Sequence, residues 1–121
     1  MTVEECYQAM GGNYAQVMNR IPSPALVGKF LGKFLKDPSY EALCQQLQAG
    51  CRAEAFRAAH TLKGVCANLS FTRLQESAGQ LTEVLRGYGE AIPESAYPLL
   101  SQVKADYETT TAAIRAFLGA E

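Results

Sequence analysis

A chain of 121 residues has the length of one domain and is large enough to bury one compact core. Eleven basic residues against twelve acidic ones leave a formal charge of −1, without the basic excess of a nucleic-acid binder. No apolar run reaches the length of a membrane span, and Met1-Thr2-Val3-Glu4-Glu5 is acidic where a secretory signal is basic, so a cytoplasmic protein without nucleic-acid or membrane partners is expected.

Strand signals are nearly absent and helix punctuation is frequent. Thr2 with Glu5 makes a capping box for a short helix ending near Gly11-Gly12. Asn13 can cap a second short segment carrying Tyr14, Val17, Met18 and Ile21. Ser23-Pro24 is an N-cap and first-turn pair opening a segment with Leu26, Phe30 and Phe34 at helical spacing. Gly28 and Gly32, one turn apart, either let that helix pack closely on another or weaken it. Asp37-Pro38 restarts the pattern, with Tyr40, Leu43, Cys44 and Leu47 as its stripe and Gly50 as its stop.

A helix from about Arg52 to Leu69 follows, then a tight turn around Ser70. The next helix carries Phe71, Leu74, Ala78, Leu81 and Leu85, and Gly87 to Pro93 reads as a loop. The last helix has the clearest period: Leu100, Val103, Tyr107, Thr110, Ile114 and Phe117. Amphipathic segments joined by short turns predict an all-α fold: an antiparallel four-helix bundle over about 38–118, with additional short N-terminal helices over about 1–36 covering one end or flank. The whole of 1–121 is expected to be a single domain, and a monomer.

Cys6, Cys44, Cys51 and Cys66 form no C-x-x-C pair, and with a single histidine no metal site is expected. Reduced thiols, Cys44 and Cys66 at apolar helical positions, are the reading.

That histidine, His60, sits in Ala58-Ala59-His60-Thr61-Leu62-Lys63-Gly64. Wound at about 100° per residue, Ala53, Phe56, Arg57, Lys63, Gly64 and Ala67 fall on its side of the helix. Ala55, Ala58, Leu62, Val65, Cys66 and Leu69 fall opposite and form an apolar stripe. His60 therefore faces solvent or a partner. Gly64 lies one turn further on, where glycine costs roughly 1 kcal/mol relative to alanine; its missing side chain clears the approach to the imidazole, and Ala67 keeps the strip low. Lys63 can place an ammonium beside an anion carried on the ring. An exposed imidazole, a cation within one turn and a cleared path describe a site for a transient phosphoryl group.

Ala59-His60-Thr61-Leu62-Lys63-Gly64, followed by Ala67-Asn68-Leu69 and Leu74, resembles the signature of histidine-containing phosphotransfer (HPt) domains. The resemblance implies a phosphorelay intermediate of two-component signal transduction: His60 accepts a phosphoryl group from a receiver-domain aspartate and passes it to another. A free imidazole is largely neutral near pH 7, so the nucleophile needs no neighbouring base. Lys63 then screens the added charge. The implied partners are response-regulator receiver domains and a sensor or hybrid histidine kinase. No cofactor is expected on this chain, the Mg²⁺ belonging to the receiver. No glycine-rich phosphate loop is present, so the protein is expected to be a carrier without ATP-dependent kinase activity of its own.

Phe56 and Arg57 before His60, and Arg86 on the next helix in a flank with Gln75, Gly79 and Thr82, are the expected docking residues; Arg52 adds charge nearby. Two positions depart from the family pattern. Ser70 stands where glycine often follows the histidine helix, and it is expected to cap the next helix. The ring-orienting Gln or Glu of many relatives has Thr82 as its nearest equivalent, with Gln75 the other polar candidate. The alternatives are a phosphate-free helical adaptor that binds receivers, or the histidine module of a larger chemotaxis-type kinase.

Overall fold

A computed structural model describes residues 1–119. Seven helices follow one another: α1 (Val3–Met10), α2 (Tyr14–Arg20), α3 (Pro24–Phe34), α4 (Ser39–Gln48), α5 (Arg52–Leu69), α6 (Thr72–Leu85) and α7 (Ala96–Leu118). No strand occurs among the described residues, and no helix is long and apolar enough to cross a membrane. The all-α expectation holds.

The helix starts follow from their local chemistry. Thr2 Oγ1 accepts the Glu5 amide at 3.1 Å while Glu5 Oε1 accepts the Thr2 amide at 2.8 Å, a complete capping box. Asn13 Oδ1 accepts from the Gln16 amide at 2.9 Å and Ser23 Oγ from the Leu26 amide at 3.2 Å. Asp37 Oδ1 accepts the Ser39 amide at 2.9 Å, so α4 begins at Ser39 with Pro38 as its boundary residue.

In the bundle, α5 packs between α4 and α6, and α6 packs on α7. The α5–α6 pair is antiparallel, because Arg52 at the start of α5 donates to Leu85 O at the end of α6, at 2.6 Å. Stacked Tyr40 and Tyr107 rings, 3.8 Å between centroids, join α4 to α7. The N-terminal helices belong to the same core. Val3, Cys6, Tyr7 and Met10 of α1 are buried, with α1 packed along α7, and Val27, Leu31 and Phe34 of α3 are buried too. Phe117 covers Gly28, where a Cβ would stand 3.5 Å from its ring, and Leu118 lies near Gly32. The two glycines thus seat α3 against the end of α7.

The end of α5 is held by the N-terminal helices. The last carbonyls of a helix lack intrahelical donors. Here Arg20 Nη1 donates to Ala67 O and Asn68 O, both at 2.6 Å, and the Tyr7 hydroxyl donates to Leu69 O at 2.7 Å. The Asn13 amide donates to Ser70 O at 2.9 Å and the Arg73 amide to Gly11 O at 3.2 Å, tying the turn after α1 to the turn after α5. Gly12 fits between them because any Cβ there would lie 2.7 Å from the Tyr7 ring and 2.9 Å from Ser70 O.

Ser70 does not cap α6. It closes α5 in a left-handed conformation (φ 59°, ψ 38°), and α6 starts from Phe71 without a side-chain cap. The Ser70 hydroxyl is buried and has no hydrogen-bond partner among the described residues. Positive φ at Ser70 closes α5, and α6 begins at the following residues without this hydroxyl as a cap.

Candidate functional site

The α5 helix presents one strip of its surface, between the flanks covered by α4 and α6, and His60 is exposed at the middle of that strip. Ala55, Ala59, Leu62, Cys66 and Leu69 form its buried side. Ala59 thereby belongs to the core, whereas Ala58, assigned to the apolar stripe from the helical wheel, is half-buried. The reason is that α5 is covered from two sides, so the buried arc is set by where α4 and α6 lie and not by the centre of apolarity alone.

Gly64 is exposed, and a Cβ built there would meet nothing within 4 Å. No internal packing demands glycine at that position. Lys63 is half-buried, its stem lying across Gly79 of α6 at 3.6 Å from where a Cβ would be. The ammonium is thus directed along the α6 edge of the strip. Ala67 is half-buried and continues the low surface.

Phe56 is half-buried rather than free. Its ring stacks on the His60 imidazole, with centroids 6.0 Å apart and planes at 17°. Arg86 lies over the same phenyl ring, 5.0 Å from its centroid. Arg86 and His60 thus both pack on the Phe56 ring. Arg57 is exposed and ion-paired with Glu54. Arg52 is a structural residue: it donates to Leu85 O and, at 2.7 Å, to Gly89 O, closing the end of α6.

Lys63 opposite Gly79 and Phe56 opposite Arg86 fix one antiparallel register. That register sets Gln75 level with Ala67, about 10 Å along the helix from His60, and sets Thr82 and Glu83 level with His60. Thr82 is fully buried and its hydroxyl donates to Ala78 O at 2.7 Å, so it is not a surface binding residue. Its inward rotation follows from its place among Ala78, Leu81 and Leu85 on the buried face of α6. Among the described residues the His60 ring has no hydrogen-bond partner.

Glu83 is the group that sequence reading passed over. It is exposed, and Arg86 Nη2 donates to its Oε2 at 3.0 Å. The Arg86 hydrogen bond and charge hold its carboxyl below the usual carboxylate range, and Lys63 and His60 add smaller effects in the same direction. Glu83 thus places a carboxylate, paired with Arg86, on α6 at the level of His60. Its spacing from Gly79 and Gln75 by whole helical turns was the available signal, but only the α5–α6 register selects it over its neighbour Thr82. The surroundings of His60 are consequently mixed, two arginines each carrying an acidic partner, and not uniformly basic.

Among the described residues His60 is an exposed imidazole without a hydrogen-bond partner, with Lys63 one turn away, on the surface of an all-helical bundle. The Hpt domain family model matches residues 37–113, more than half of the chain, and the chain belongs to that family. Hpt domains carry out histidine phosphotransfer in two-component signalling, as carriers and not as kinases. Neither the curated proteins nor the solved structures gave a match to this chain.

Proposed function

We propose that His60 is the phospho-accepting residue and that the protein relays a phosphoryl group between receiver-domain aspartates in the cytoplasm, fed by a sensor or hybrid histidine kinase. The observation that carries this reading is the exposed imidazole beside Gly64, where even a methyl group would find open space. Helix formation alone favours alanine at such a site.

In the transfer, a lone pair of a neutral ring nitrogen, Nε2 by its outward position, attacks the phosphorus of an aspartyl phosphate in line with the leaving carboxylate oxygen. The N–P bond forms as the P–O bond breaks, the carboxylate departs with the electron pair, and the proton on the other ring nitrogen stays. Reversal with a second receiver returns the phosphoryl group to oxygen. Lys63 lies one turn along the strip and screens the phosphoryl oxygens without bonding covalently. Phe56 holds the ring plane by stacking, a role for which no polar side chain has to be invoked.

The test is incubation with a panel of receiver domains charged by a small phosphodonor and Mg²⁺, comparing wild type with His60→Ala. An acid-labile, base-stable label on wild type alone is expected. Folded wild type that takes no label from any receiver sinks the proposal and leaves the phosphate-free adaptor or the kinase-fed module.

A further inference from the structure

On the N-terminal side of His60 the surface opens into a groove of about 630 Å³, lined by Arg52, Ala53, Phe56, Arg57, Arg86 and Tyr88. It is continuous with the histidine, because Phe56 is both a wall of the groove and the ring stacked on the imidazole.

The loop after α6 is shaped to present Tyr88. Gly87 and Gly89, at φ +152° and +87°, hold backbone conformations that favour glycine, and the tyrosine between them is fully exposed. The foot of this loop is pinned. One guanidinium, that of Arg52, reaches Leu85 O at 2.6 Å and Gly89 O at 2.7 Å, so it bridges the two ends of the segment that carries Tyr88. The tyrosine is thus held out over a groove by a clamped base.

Charge marks the groove. Three guanidiniums border it, and the acidic partners of two of them, Glu54 and Glu83, form exposed pairs that water and salt weaken. Arg52 is bonded to neutral carbonyls and keeps its charge uncompensated. In the opposite direction along α5, beyond Lys63, Gly64 and Ala67 lead to a groove of about 370 Å³ floored by Ile21, Phe30 and Val65, where Arg20 and Lys33 stand with Asp37. A phospho-accepting aspartate sits among other carboxylates that hold its metal, and a partner centred on His60 has three guanidiniums within reach in the groove that Tyr88 borders.

Resting on the phosphocarrier reading above, we infer that this groove and Tyr88 form a second anchor for the receiver domain, and that Tyr88 sets which receiver is accepted. The partner segment is acidic and offers an apolar surface to the tyrosine ring. Tyrosine and arginine are the residues on which interface affinity most often concentrates.

The experiment measures phosphotransfer from each charged receiver to wild type, Tyr88→Ala, Tyr88→Phe and, as a control on the rim of the opposite groove, Lys33→Ala. For the receiver most active with wild type, Tyr88→Ala is expected to raise KM about tenfold while the rate at saturating receiver stays within about twofold. Tyr88→Phe is expected to restore KM, Lys33→Ala to leave it unchanged, and the penalty to differ between receivers. An unchanged KM in Tyr88→Ala, or an equal rise in Lys33→Ala, overturns the inference while leaving the role of His60 intact. Absence of label on wild type removes the carrier reading and this inference with it.

Discussion

Replacing Ser70 by glycine is expected to stabilise the protein, which runs against the usual outcome for a fully buried position. Ser70 occupies the left-handed region at φ 59°, where a residue with a Cβ is worse off than glycine by roughly 1–2 kcal/mol. Its buried hydroxyl lacks a partner, and an unsatisfied buried polar group costs roughly 1–3 kcal/mol. Against these stand the greater freedom of glycine in the unfolded chain, roughly 1 kcal/mol, and a small void, again about 1 kcal/mol. The balance is a gain of about 1 kcal/mol, or a rise of about 3–5 °C in Tm for a domain of this size. Urea and thermal unfolding followed by far-ultraviolet circular dichroism measure it. Ser70→Ala separates the two contributions, since it removes the hydroxyl and keeps the strained φ. On these magnitudes it should be at least as stable as Ser70→Gly, because it loses the unpaired hydroxyl without the added chain entropy of glycine. A glycine variant less stable than wild type, or an alanine variant no more stable than wild type, refutes the reasoning.

Gly64→Ala should dissociate stability from transfer: about 1 kcal/mol more stable by helix propensity, because the new methyl meets nothing, yet slower in phosphotransfer with every receiver. A variant that transfers at the wild-type rate would remove the steric role of Gly64. Tyr7→Phe leaves Leu69 O without its donor and should cost about 1–3 kcal/mol in urea unfolding. Burial, and secondarily Cys6, push the Tyr7 hydroxyl above its ordinary value, so its neutral form stabilises the fold below the unfolded pKa of about 10 and that stability is lost as pH rises through the folded pKa. Wild type should consequently lose more stability than Tyr7→Phe between pH 9 and 12, values set here as about the range flanking a free phenol; parallel pH profiles would contradict this. In thiol labelling of native protein, exposed Cys51 should react first and half-buried Cys44 more slowly. Cys66 and Cys6, the latter pushed up to about 11 by burial, should react only on unfolding.

Local chemistry made much of the fold legible. The Thr2 box, the Asn13 and Ser23 caps and the Gly50 stop each act within one turn of chain, so residues adjacent in sequence suffice to set them. The exposure of His60 was legible for a similar reason: a helical wheel separates its face from Leu62, Cys66 and Leu69 without knowing any neighbour. Thr82 and Ser70 depart from expectation, and the carbonyls that Arg52 binds were not legible, because these roles depend on partners distant in sequence. A wheel gives directions but not which helices cover them, so it can neither bury Thr82 nor send the Arg52 guanidinium to the end of α6.

The sequence by itself determined the elements, their apolar faces and the outward position of His60, since helical period and capping are short-range properties. Only the tertiary structure decided that Glu83 lies level with His60, that Arg86 and His60 both pack on Phe56, and that Arg20 and Tyr7 hold the end of α5. Each of these depends on the register between packed helices. Register is fixed by the interlocking of whole faces, as Lys63 on Gly79 and Phe117 on Gly28 illustrate, and no single segment carries that information.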